Sequence, residues 1–574
     1  MNSSQFLVLN AQFAIWALLL PAGLILLAGG GLAGRRPAKS AVTGLGALAL
    51  AAISFWACGF AFQLGGVGLV SDLAGLEGLV WEWASPLNLE WGVMGLRGFL
   101  LLEEAATPTA HLLYLAYLPT VAVAALLPLL ALRERLPGWM AALAGLLIAA
   151  LVYPVAANWF TGGGWLMHTG RTLGTGHGYV DLTGLSTAAF IGGLAALLGI
   201  AFFGRRLPPL PYDELPALPP VHLPVLAVLG AFLVVAGGMA ISTANPIHAQ
   251  SGVISPRVAL NLALAASGGA LLPCLYTWFT TGAADSLMAA RGAAAGVLGV
   301  AAAMAFIPPW AALALGAAAG LLVPLATFLV RYVLHIEDPT GAAPVGLLGG
   351  ALGILAVGLF GDGRYGQGWN GTGAETYLGV SGQGVTGLLA APGFAPNWPG
   401  QMNAQLVGMA AIALLTVVLV GALYLVLKVL LLLWRAVGLP EEIDPPEQEA
   451  SVTEPLETGD AQPVPDSSPP EGDQSGDQPQ PLANETDSPK AIDAQPDPDS
   501  DPRDEDQRYD QPQHPANETD FLEAMDAQPD PGSGTQNGDQ SGDRPSPLAN
   551  ETDSPETGAD QPAPDPGRQD GEQS

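Results

Sequence analysis

The sequence predicts an all-α fold: a polytopic membrane helix bundle of about 11 transmembrane helices, two inverted five-helix halves plus one, with a disordered acidic C-terminal tail. Three observations predict it. Up to Val437 the chain repeats apolar runs near membrane-spanning length, and beyond it such runs vanish. Basic residues follow five of the six odd-numbered runs. The formal net charge of −31 over 574 residues is confined to one end: 36 Asp and Glu against 5 Lys and Arg follow residue 437, leaving 15 acidic (51 − 36) and 15 basic (20 − 5) residues before it. The acidic balance therefore says nothing about what the membrane part binds.

Hydropathy and length place the spans near 11–33, 41–63, 109–131, 138–159, 182–203, 221–243, 258–281, 289–307, 309–332, 344–361 and 402–434. The first is expected to be a retained anchor, because Arg35, Arg36 and Lys39 come after it rather than before. Those residues follow span one, Arg133 and Arg135 span three, Arg205 and Arg206 span five, Arg331 span nine and Arg435 span eleven. Short cytoplasmic loops hold excess Lys and Arg, so the N-terminus is expected outside and the tail in the cytoplasm of a multi-pass cell-membrane protein.

Two large loops, 65–108 and 362–401, fall on the outer side of that topology. Trp81, Trp83 and Trp91 with Glu77, Glu82 and Glu90 suit an amphipathic cap at the interface, or an acidic funnel that attracts solute. Asp181-Leu-Thr-Gly184 opens span five and Asp338-Pro-Thr-Gly341 precedes span ten, which suggests duplicated halves of opposite topology. Cys58 and Cys274 lie far apart in apolar runs and read as small buried residues. No nucleophile, metal cluster or phosphate loop appears, so the chain is not read as an enzyme.

Domain boundaries are expected at 1–440 for the transmembrane domain and 441–574 for the tail. After Glu441 the chain is rich in Asp, Glu, Gln, Pro, Ser and Gly, too poor in large apolar residues to offset its ordering entropy. Pro481 to Pro489 recurs at Pro547 to Pro555, a low-complexity duplication expected to act as a solvated spacer.

The stretch from Asp338 to Phe360 is the most informative. Gly346, Gly349, Gly350 and Gly353 let other helices approach its backbone closely, for packing or for lining a pathway. The stretch resembles, without a gap, the tenth transmembrane helix of the ammonium transporter (Amt/Rh) family. Gly30-Gly-Leu with Arg35-Arg36, Ala131 to Arg135, Gly162-Gly-Gly-Trp-Leu166, Asp181 to Gly193, Arg291 to Gly296 and Gln405 to Gly408 continue the likeness in the family's order.

The resemblance implies a homotrimer in a lipid bilayer, each protomer with its own narrow apolar pore for a small solute such as ammonium or ammonia. No cofactor, metal or nucleic acid is implied. It also implies an outer recruitment site, two stacked phenylalanines and two joined lumen histidines. Those positions fall on other residues here. The histidines align with Ala189 and Gly346, the phenylalanines with Thr120 and Ile241, the recruiting serine with Asn245, and a tryptophan with Thr161, for which Trp159 is a nearby substitute. Asp181 alone keeps its identity. With these as the pathway residues, the expected activity is channel-like transport of ammonium, ammonia or another small solute with altered proton coupling. The alternative is a non-conducting receptor or scaffold acting through the tail, whose regulator the sequence does not name.

Overall fold

The computed structural model describes residues 3–32, 36–81, 92–133, 135–204, 222–250, 253 and 255–437. These belong to one compact unit; the tail from 441 onward, its disorder and its repeat lie outside the described residues, as does the tryptophan cluster between 82 and 91. Among the described residues ten helices are long and apolar enough to cross a bilayer. In chain order the helices are α1 (Gln5–Gly29), α2 (Arg36–Leu69), α3 (Pro108–Arg133), α4 (Gly138–Thr161), the short α5 (Trp165–Leu173), α6 (Leu185–Phe203), α7 (Leu223–Ala244), the one-turn α8 (Pro246–Gln250), α9 (Pro256–Thr281), α10 (Ser286–Leu298), α11 (Pro309–Val333), α12 (Ala342–Phe360) and α13 (Gly400–Ala436). A hairpin of β1 (Thr376–Tyr377) and β2 (Val380–Ser381) lies in the loop before α13.

Backbone contacts at the small residues reveal the two-fold relation between halves. A Cβ on Gly193 of α6 would stand 2.0 Å from the Leu347 nitrogen of α12, and one on Gly350 would stand 2.4 Å from the Phe190 nitrogen. Gly193 and Gly350 are 157 residues apart (350 − 193), as are Phe190 and Leu347 (347 − 190), so one contact is met from both sides. Helices α1 and α7 cross in the same reciprocal way: Gly23 meets the carbonyl of Gly230 and the nitrogen of Val234, while Gly230 meets the carbonyl of Gly23 and the nitrogen of Leu27. Only glycine lets backbones come this close, and that is why the glycine-rich stretch packs at the centre of the molecule.

The same 157-residue offset relates the helix caps. Asp181 accepts from the Gly184 and Thr187 nitrogens at 2.9 Å each, and Asp338 accepts from the Gly341 nitrogen at 3.1 Å and the Ala343 nitrogen at 3.0 Å. Thr183 and Thr340 each take one further amide, from Leu185 and Ala342. Gly184 and Gly341 occupy the left-handed region, with φ of 71° and 70°, which only glycine enters without strain. Each cap satisfies orphan amides and sets a negative charge at the positive helix end.

Helix α13 fastens the two halves together. Gln405 donates to the carbonyls of Val180 and Ile354 and accepts from the Val180 nitrogen, and Tyr424 donates to the Ala195 carbonyl at 3.0 Å.

The expected span 289–307 takes a different form. It is helical only through Leu298, and 299–307 runs as a chain of turns into Pro308-Pro309. Side chains from α6 and α9 supply the partners that a helix would have supplied to itself. Ser186 donates to the Leu298 carbonyl and accepts from the Ala302 nitrogen; Asn261 donates to the carbonyls of Met304 and Ile307 at 2.8 Å each. Irregular backbone at membrane depth is tolerated where protein, not lipid, surrounds it.

Candidate functional site

A cavity of about 370 Å³ opens at the Asp181 end of α6. Its walls include the end of α2 at Val67 and Leu69 and residues of five further segments. Tyr117 comes from α3, Phe160 and Thr161 from the end of α4, His168 and Arg171 from α5, His248 from α8, and Trp369 with Asn370 from the long loop before α13. A second space of about 220 Å³ adjoins it, sharing Val70, His168 and Arg171.

The wall is held rigidly. Asn370 donates to the carbonyls of His177 and Tyr179, and the Trp369 ring packs 5.3 Å from Phe306 and 5.5 Å from His248. Burial lowers His248 to a pKa of about 4, so its imidazole is neutral at pH 7. His177, behind Asn370, is lowered to about 4 by the same cause.

Beneath the cavity lies a layer of hydroxyls around Asp181. Its carboxylate is buried, which pushes its pKa up, while donors on Thr187, Gly184 and Thr183 pull it down. Thr187 donates its hydroxyl to Asp181 at 2.8 Å and is bonded to the Tyr179 hydroxyl at 2.8 Å. The Tyr117 hydroxyl accepts from Asn245 at 2.9 Å, and the Tyr153 hydroxyl donates to the Gly184 carbonyl at 3.3 Å. These groups can hold a small polar or cationic solute by hydrogen bonds and by the ring faces of Tyr117, Phe160 and Trp369.

Of the residues singled out from sequence, Thr161 and Asp181 line this cavity. Thr120 lies one turn deeper, fully buried, with its hydroxyl donating to the Tyr117 carbonyl. Asn245 sits behind Tyr117, with its own oxygen taken by the Ile247 nitrogen. Ile241 is buried on α7. Trp159 points to the loop after α2: its indole donates to the Val93 carbonyl at 2.8 Å and its ring meets Trp165.

Ala189 and Gly346 come together deeper still, where α6 and α12 cross. A Cβ on Gly346 would stand 2.9 Å from the Ala189 carbonyl and 2.7 Å from a methyl of Leu127. Leu127, itself buried, occupies the ground between the two helices. Helices α6 and α12 carry no Asp, Glu, His, Lys or Arg. Sequence reasoning missed Tyr117, His168, Arg171, His248, Trp369 and Asn370, which converge from four separated segments; only Tyr117, one turn before Thr120, left a signal.

The family model of the Ammonium Transporter Family matches residues 8–448. The chain is similar to ammonium transporter Amt2 of Archaeoglobus fulgidus, 27% identical over 377 residues, covering 64% of this chain and 75% of that protein. It is also similar to a putative ammonium transporter of Synechocystis, 28% identical over 278 residues, covering 47% of this chain and 60% of that one. Among solved structures it resembles one titled sensor Amt protein, with TM-score 0.57, 20% identity and 74% and 93% of the two chains covered. It likewise resembles a Mep2 mutant from Candida albicans, with TM-score 0.57, 21% identity and coverage of 73% and 84%. At those identities the solved structures speak for the fold alone.

Proposed function

Because the chain belongs to the ammonium transporter family, we propose that it passes ammonia across the membrane as the neutral base, having held ammonium at the Asp181 cavity. It is a multi-pass membrane protein of a transporter family, not an enzyme. The observation that carries the proposal is the polar cavity ending directly above an ion-free apolar crossing. An ion entering that crossing would lose its hydration with no charge to receive it, whereas a neutral molecule would not. Ammonium therefore returns its proton to water on the cavity side before the base crosses. No imidazole at 189 or 346 relays it, so movement carries no net charge.

In this reading Thr161 and Asp181 belong to the entry, Thr120, Asn245 and Ile241 to its floor, Ala189 and Gly346 to the crossing, and Trp159 to the rim. The Asp181 end faces outward, the tail is cytoplasmic, and the working unit is a homotrimer, as the family resemblance implies. Reconstituted into liposomes, the protein should accelerate internal alkalinisation by ammonia while an ammonium gradient drives no current. Flat pH traces from correctly assembled protein would defeat the proposal, and a current would show that the proton travels too.

One observation favours a second reading, a receptor that binds without conducting: Leu127 packs against both helices of the crossing, at Gly192 and at Gly346. It predicts ammonium binding at the cavity, read as a thermal shift, with no ammonia flux.

A further inference from the structure

The cavity at Asp181 is far roomier than ammonium requires. Its volume of about 370 Å³ would take about ten molecules of water size, each about 30 Å³ in the liquid, and ammonium is close to that size. The polar groups around it are largely engaged with one another. Asp181 Oδ1 accepts from the Gly184 nitrogen, and Oδ2 accepts from both the nitrogen and the hydroxyl of Thr187. The Thr161 hydroxyl donates to the Ala157 carbonyl and accepts from Gln63, and the Tyr117 hydroxyl accepts from Asn245. Ammonium carries four N–H donors, and it would exchange water for a wall with little capacity left to receive them.

Aromatic surface is what the wall offers instead. Tyr117, Phe160 and Trp369 reach the cavity from α3, from the end of α4 and from the loop before α13. No ring contact joins the three among the described residues, so they stand apart around the space and do not stack across it. The Phe160 ring is backed by Tyr179 at 5.2 Å and the Trp369 ring by Phe306 at 5.3 Å, which holds both in place before any ligand arrives. Charge is graded from rim to floor. Arg171 lies on the exposed rim and donates to His168 Nδ1, whereas Asp181 is 3% exposed at the floor, where solvent screens its carboxylate least.

We infer that the cavity is an aromatic cage for methylated ammonium, binding a quaternary ammonium ion more tightly than ammonium itself. This assignment rests on the reading that a cation is held there. The methyl groups of a quaternary ion ask for no hydrogen bond, so the engaged wall costs it nothing, and ring faces attract its charge by cation–π interaction. Its nitrogen has no proton to give back, so the ion does not cross as a neutral base. Bound, it closes the entry to ammonium.

The test titrates purified full-length protein with tetramethylammonium, with ammonium and with tert-butanol, an uncharged counterpart of the first, reading affinity from the shift in melting temperature. Tetramethylammonium is also added on both sides of proteoliposomes while an internal pH dye follows ammonia entry. The expected result is binding of tetramethylammonium at least tenfold tighter than ammonium, no shift with tert-butanol, and ammonia entry that falls as the site fills. Trp369→Leu and Phe160→Leu keep an apolar wall but each remove a ring, and each should weaken tetramethylammonium about tenfold. They sit on different elements, so one guards against a folding failure of the other. Ammonium bound as tightly as tetramethylammonium would overturn the cage, and so would tert-butanol bound as well as the cation or folded ring variants with wild-type affinity. A wild type that binds tetramethylammonium but passes no ammonia would defeat neutral-base passage and uphold the cage. Ammonia entry that tetramethylammonium leaves untouched would overturn the cage and leave neutral-base passage standing.

Discussion

At the scale of single residues, His177 and Gly346 make opposite kinds of demand. His177 is buried beside the Tyr377 ring, 4.5 Å away, with both ring nitrogens unpartnered among the described residues. Its pKa is lowered from 6.5 to about 4, so between those values the unfolded chain binds a proton that the folded loop refuses, and stability falls as pH falls. From pH 8 to pH 5 the loss is about 2 kcal/mol. Thermal unfolding across that range should show it, and His177→Phe should remove this share while that of His248, lowered to about 4 by the same cause, remains. Gly346 demands the absence of a Cβ. Gly346→Ala should cost about 1–3 kcal/mol by overpacking against Leu127. In a Leu127→Ala background the share of that cost due to Leu127 should go while the close approach to the Ala189 carbonyl remains, a coupling that a double-mutant cycle measures. Sequence reading put 189 and 346 at corresponding places of their helices, because an Asp-x-Thr-Gly start precedes each one. It gave no hint of Leu127, which lies on α3 where nothing but apolar residues surround it.

At the scale of elements, the helices were legible and one of them was not what periodicity implied. Apolar runs mark ten crossings well because lipid imposes length and hydrophobicity. The run 289–307 passes the same filter yet unwinds after Leu298, because Ser186 and Asn261, more than 40 residues earlier than the groups they bond, satisfy its backbone. Hydropathy does not register such long-range partners. Helix α13 shows the same dependence in reverse. Gln405→Leu would strip partners from the Val180 nitrogen and from the Val180 and Ile354 carbonyls, all buried. At about 1–3 kcal/mol for each unsatisfied group, the loss should reach at least about 3 kcal/mol. A fall in the melting temperature of the purified protein, much larger than for a lipid-facing change such as Val418→Ala, is the expected outcome.

At the scale of the whole molecule, charge and symmetry divide the labour. The part up to residue 437 balances its charges, and the two-fold relation that builds it was visible in sequence only as two short acidic starts; the reciprocal glycine contacts needed three dimensions. The excess of −31 belongs wholly to the residues after 437. Deleting 445–574 should leave ammonia entry and the melting temperature of the membrane domain unchanged. A deletion that abolished cellular function while flux persisted would favour the receptor reading, because it would separate what the tail reports from what the helices carry.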